Sequence, residues 1–153
     1  MTTRNELRAA LKARLARITL ANGYHFDIGD DQTHEERTKF SQGQDALPAV
    51  SVCYYGSSAT NIGSSNRFVE TSTTFGILGV VKRGLDNDPQ CDFLLEDIER
   101  ALFARIEDDA IDQCEVLSAE GDLIDKTSDG TGLTYVIYTV SVSWNNDNTE
   151  QDR

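Results

Sequence analysis

Residues 136–144 read VIYTVSVSW, and Val136, Tyr138, Val140, Val142 and Trp144 occupy alternate positions of that run. Successive side chains of an extended chain point to opposite faces, so these five share one face of a β-strand. A second β-rich run lies upstream at 68–81, FVETSTTFGILGVV, with Val69, Thr71, Thr73, Phe75, Ile77, Val80 and Val81. Gly76 and Gly79 inside it predict a bulge or a close backbone approach. Shorter alternations predict strands at 24–28 (Tyr24, Phe26, Ile28), at 50–54 behind Pro48 (Val50, Val52, Tyr54), and at 115–119.

Two stretches carry the period of a helix instead. Leu7, Leu11, Leu15 and Ile18 fall on one helical face, Thr3 and Glu6 fit a capping box, and Asn22-Gly23 supplies a left-handed end. Asp88-Pro89 opens the second helix, whose apolar stripe holds Phe93, Leu94, Leu95, Ile98, Ala101, Leu102 and Ile106. Between the elements, 29–46 is acidic with Phe40 as its one large apolar side chain, and 56–66 (GSSATNIGSSN) is small and polar. Both are expected to be mobile loops, the second a hairpin tip, and 120–132 a turn region. Residues 145–153 contain no hydrophobic side chain and are expected to form a disordered polar tail. Consecutive strands interrupted by single helices predict one α+β domain over 1–144, an antiparallel-dominated mixed sheet with two helices packed on one face.

The chain has 153 residues, 14 Lys and Arg against 26 Asp and Glu, and a net charge of −12. A chain of about this length buries roughly 68–70% of its unfolded surface, so its core needs no metal or disulfide. The charge is unevenly placed. Residues 1–23 hold five basic residues and one acid, a net of +4, which leaves −16 for the remainder. Arg4, Arg8 and Lys12 form a ridge along one edge of the first helix, with Arg14 and Arg17 on the other flank. An excess of acid argues against general nucleic-acid binding, which rests on cations that neutralise phosphates. No apolar run approaches a membrane span and no signal-peptide core is visible, so the protein is expected to be made in the cytoplasm. Cys53, Cys91 and Cys114 have no paired spacing and read as buried thiols.

Linear signatures of catalysis are missing. There is no phosphate-cradling glycine loop, no G-x-S-x-G and no H-E-x-x-H, and His25 and His34 lack partners at metal spacing. Residues 125–130 (DKTSDG) begin like a calcium loop, but the twelfth position, which must close the coordination sphere with a carboxylate, is Val136. Asp27, Asp30 and Asp31 offer oxygen ligands without a convergent set, and the acids at 107–109 face the unfavourable end of a helix dipole. Neither a metal nor another cofactor is expected, and the chain is read as a structural protein rather than an enzyme.

Taken in order, ANGYHFDIGD at 21–30, LPAVSVCYYG at 47–56, FGILGVVKRGLDND at 75–88, LLEDIERAL at 94–102 and TYVIYTVSVSW at 134–144 resemble the tail terminator, or tail completion, proteins of long-tailed bacteriophages. Asn22-Gly23-Tyr24, residues 81–86 and residues 97–102 carry the likeness best, and it covers roughly 4–144. The resemblance implies a ring, commonly hexameric, that caps the tail tube, meets the tail-tube protein, and presents a surface to the head–tail connector of the virion. An acidic lumen would let DNA pass without specific binding, because like charges repel in a narrow channel. Polarised charge suits a head-to-tail contact between copies. The expected subunit or tube contacts are Arg4, Arg8, Lys12 and Arg14 on the helix and Ser57, Ser58, Asn61 and Ser64 on the hairpin tip. Asp30, Asp31, Glu35 and Glu36 are the candidates for an acidic lumen or loop. Rival readings are a head-completion or connector-stopper protein of the phage neck, an acidic DNA-mimic inhibitor, and a metal-dependent enzyme built on the acids at 27–31.

Overall fold

The computed structural model describes residues 4–41, 43–62, 68–82, 87–104, 106, 111, 116–124 and 133–147. Helix α1 (Arg4–Leu15) is followed by β1 (Thr33–Glu35), β2 (Ala49–Ile62), β3 (Phe68–Lys82), α2 (Asn87–Leu102), β4 (Val116–Ile124) and β5 (Leu133–Asp147). The strands form a five-stranded sheet in the order β1-β2-β3-β5-β4. Only β1 runs parallel to its neighbour; the other three pairs are antiparallel. The fold is α+β with a mixed, mostly antiparallel sheet. No helix among the described residues is long and apolar enough to cross a membrane.

Register explains which side chains meet. Val52 pairs with Ile77 and Ile77 with Tyr138; Tyr54 pairs with Phe75 and Phe75 with Val140. Directly paired residues share a face, so these positions build one apolar surface. Leu7, Leu11 and Leu15 of α1 and Cys91, Leu94, Ile98 and Leu102 of α2 join the same buried cluster. Gly79 lies beneath α2, where a Cβ would stand 2.7 Å from Val136 Cγ2 and 2.8 Å from Leu94 Cδ2. Gly76 lies on the opposite face under the ring of Tyr55, where a Cβ would stand 2.6 Å from the phenol oxygen. What approaches both glycines is side chain rather than the backbone expected there, and the bulge sits on the partner strand β2 between Tyr54 and Gly56. A second apolar cluster (Phe40, Ala49, Val80, Leu133 and Tyr135) lies on the far face at one end of the sheet.

Several local expectations are corrected. Helix α1 stops at Leu15; Asn22-Gly23 instead closes a separate 3-10 turn, Leu20–Asn22, with Gly23 left-handed at φ 84°. The segment 24–28 is not a strand. Its N–H groups find other acceptors: His25 and Phe26 donate to the two carboxylate oxygens of Asp97 at 3.1 and 3.0 Å, and Ile28 donates to Ile18 O at 2.8 Å. The segment 29–46 is not a bare loop, because it contains the 3-10 turn Asp30–Gln32 and strand β1, and buries Phe40.

The first seven residues of the tip expected at 56–66 are strand. Residues 56–62 continue β2 and pair with 68–74, so the polar sequence is strand, held by register with its partner. Strand β4 runs through Ile124 rather than stopping at 119, and β5 continues through Asp147, so 145–147 belong to the sheet and not to a tail. Thr3 of the capping box, Ser64, the acids at 107–109, Cys114, the 125–130 segment and 148–153 lie outside the described residues.

Candidate assembly surface

Arg4, Arg8 and Lys12 do line one edge of α1, and that edge faces β1 and β2. Arg8 Nη2 stands 3.2 Å from Glu36 Oε1, and Lys12 Nζ stands 3.8 Å from Glu35 Oε1. Two of the expected acidic loop residues thus neutralise two of the expected interface cations within one chain. Both pairs are partly exposed, where an ion pair contributes roughly 0–1 kcal/mol. Glu36 does more than pair, since Oε1 also accepts the Tyr54 N–H at 2.8 Å. Arg4 lies over the Tyr54 ring, 4.4 Å from its centroid. The Tyr54 hydroxyl is 2.9 Å from Ser57 Oγ, and Ser57 first, then Arg4, hold the phenol below its ordinary value.

Arg14 is a correction to the expected interface. It is 3% exposed and its Nη1 donates to Leu102 O at 2.7 Å and Ala104 O at 2.8 Å. Carbonyls at a helix C-terminus lack partners within the helix, and a guanidinium there satisfies them and meets the negative end of the dipole. The sequence carried a signal for this: Arg14 lies seven residues after Leu7, on the apolar stripe itself. Asp97 was missed for the same reason. It lies three residues after Leu94 and four before Ala101, it is fully buried, and it organises the 24–28 segment.

Ser57, Ser58 and Ala59 are exposed on β2, and Asn61 belongs to the same strand. Among the described side chains the buried cluster reaches Tyr54, Phe75 and Val142, and the ladder continues to the Ile62–Phe68 and Phe68–Asp147 pairs. The strands therefore extend as an arm past the apolar core of the described side chains. Asp30 and Asp31 are exposed in their 3-10 turn. The loop after β1 is tied by Asp45, which accepts the Ser41 N–H and pairs with Arg37.

A second patch follows the outer side of α2. Phe93 and Phe103 are exposed there, His25 stacks on Phe93 at 4.5 Å with Nε2 3.1 Å from Glu96 Oε2, and Arg100 lies over Tyr24. This row fastens 23–26 to α2 and leaves apolar ring surface in solvent. Cys53 is buried beside Ser51, and burial pushes its thiol up, away from the thiolate a nucleophile needs. Among the described residues no group of three or more His, Cys, Asp or Glu is placed to hold a metal ion. What the geometry offers is contact surface: a strand arm, a charged corner at α1 and β1, and an aromatic row on α2.

A comparison of the chain with known protein-family models gives no match, and a search of curated proteins finds no relative.

Proposed function

We propose that the chain is a structural subunit of a long-tailed bacteriophage: a tail terminator whose ring, hexameric in the likeness, caps the tail tube and offers the head-attachment surface. The observation that carries this reading is the arm of β2, β3 and β5, whose ladder continues beyond the apolar core of the described side chains. Residues 56–59 and 71–74 carry no large apolar side chain, so the length of these strands is explained by contacts outside the chain. A net charge of −12 fits a subunit beside a DNA passage, where like charge keeps the genome from adhering. Growth of a tube stops when one face of the added subunit matches the last ring and the other does not repeat it. The acting residues are contact residues, with no chemistry on a substrate and no cofactor. In this reading the protein resides at the head-proximal end of the tail, between the tail-tube protein and the connector.

The test is a phage lacking this protein, examined by electron microscopy. The expected result is tails of irregular length or tails that do not join heads, restored by supplying the chain in trans. Normal tails joined to heads overturn the reading. Uniform free tails beside filled heads that leak DNA, with the protein mapped to the head, instead identify a head-completion protein.

A further inference from the structure

The sheet leaves two edges, and they differ in how they are guarded. Strand β1 covers β2 only at Val50–Val52. Glu36, left-handed at φ 52°, then turns the chain off the edge, and its own carboxylate takes the next outward N–H, that of Tyr54. From Gly56 to Ile62, β2 pairs with β3 on one side and has no strand on the other among the described residues. That segment, GSSATNI, contains neither charge nor proline, the usual devices that keep an exposed edge from pairing. The opposite edge of the sheet is β4, nine residues long, also without an outer neighbour among the described residues.

We propose that these two edges bind each other between copies: β4 of one chain adds to residues 56–62 of β2 in the next, joining the sheets into one. The contact deepens the ring reading above and rests on it for closure. Strand sense favours it. β2 and β5 run one way and β3 and β4 the other, so a neighbour rotated about an axis near the strand direction brings β4 beside β2 in antiparallel sense. Charge selects the pairing as well. β4 carries Glu120 and Asp122, so β4 against β4 sets acid beside acid, whereas the β2 segment is neutral.

The register also limits the geometry. Ala59 pairs with Thr71, whereas Ala119 lies across Val140 at the level of Phe75, and Gly121 across Tyr138 at the level of Ile77. Continuity of faces requires an even stagger, and Ala59 opposite Ala119 or Gly121 gives four or six residues, roughly 13–20 Å at ~3.3 Å per residue. Each copy spans four strands across, roughly 19 Å. A ring that closes without rising then tilts its strands by roughly 35–45° from the ring axis, the range found in closed sheets.

The test uses the full chain in sedimentation and cross-linking. The unaltered protein should sediment at several times the single-chain mass. Ala59→Pro, and separately Ala59→Lys, should fall to the single-chain mass with unchanged far-ultraviolet circular dichroism. An equimolar mixture of Ala59→Cys and Ala119→Cys chains should form a disulfide between unlike chains under mild oxidation, a readout that does not depend on the disrupting variants folding. An assembly that keeps its mass in both Ala59 variants and gives no unlike-chain link overturns the edge contact and leaves the ring reading standing. A link between two Ala59→Cys chains overturns it in favour of a twofold β2 pair. A single-chain mass for the unaltered protein at every concentration overturns the contact outright, while the reading itself is decided by the tails of the phage lacking the protein.

Discussion

Arg14 of α1 reaches the end of α2, where its Nη1 donates to the carbonyl oxygen of Leu102 at 2.7 Å. One side chain thereby closes the C-terminus of a helix that begins more than seventy residues further along the chain. A buried hydrogen bond to a charged group is worth about 1.5–3 kcal/mol, and its loss leaves carbonyls without partners. Arg14→Met should lower the unfolding free energy by about 2–3 kcal/mol in urea titration. It should not change self-association, which separates this interior role from the interface first expected of it.

The two glycines of β3 should respond differently to alanine. At Gly79 the added carbon meets Val136, Leu94 and Ile98, all fully buried, and overpacking of this kind costs about 1–3 kcal/mol. At Gly76 the obstacle is the end of Tyr55, which is 54% exposed and free to swing outward. Gly76→Ala should therefore cost less than about 1 kcal/mol. Thermal unfolding of the two variants side by side checks the difference.

Ile98 stands at the centre of the α2 stripe and is fully buried in the cluster that also holds Leu11, Leu15, Val136 and Val140. Ile98→Ala should cost about 2–5 kcal/mol, the transfer free energy plus the cavity. A loss below roughly 1 kcal/mol in chemical denaturation would mean that the stripe is not the core.

Acid should loosen the loop after β1. The Ser41 N–H and the Arg37 guanidinium hold the Asp45 carboxyl below its ordinary value of 3.8. A depressed folded value means that the stabilisation is full above the ordinary value and is lost as pH falls through the folded one. A nuclear magnetic resonance titration should place the Asp45 midpoint below 3.8, with the Ser41 amide shifting in step. Asp45→Asn should produce the same loosening at neutral pH, read as faster proteolysis within 37–48.

The sequence by itself determined the elements whose side chains repeat with a period. Leu7, Leu11 and Leu15 mark α1, Leu94, Ile98 and Leu102 mark α2, and alternation marks β3 and the inward face of β5 at Val136, Tyr138, Val140 and Val142. Periodicity works there because one face of each of these stretches is buried. Tertiary structure decided the rest. Three residues of β1 are too few for a pattern, and Thr33–Glu35 is a strand only because β2 lies beside it. Residues 24–28 alternate like a strand, yet Asp97, distant in sequence, takes the N–H groups a neighbouring strand would have bonded. Residues 56–62 have the composition of a loop and are held extended by cross-strand register with β3. The acids Glu35 and Glu36 look unpaired in the chain and are opposite Arg8 and Lys12 in space. A charge or a donor has no period, so its partner is fixed only when the chain brings distant segments together.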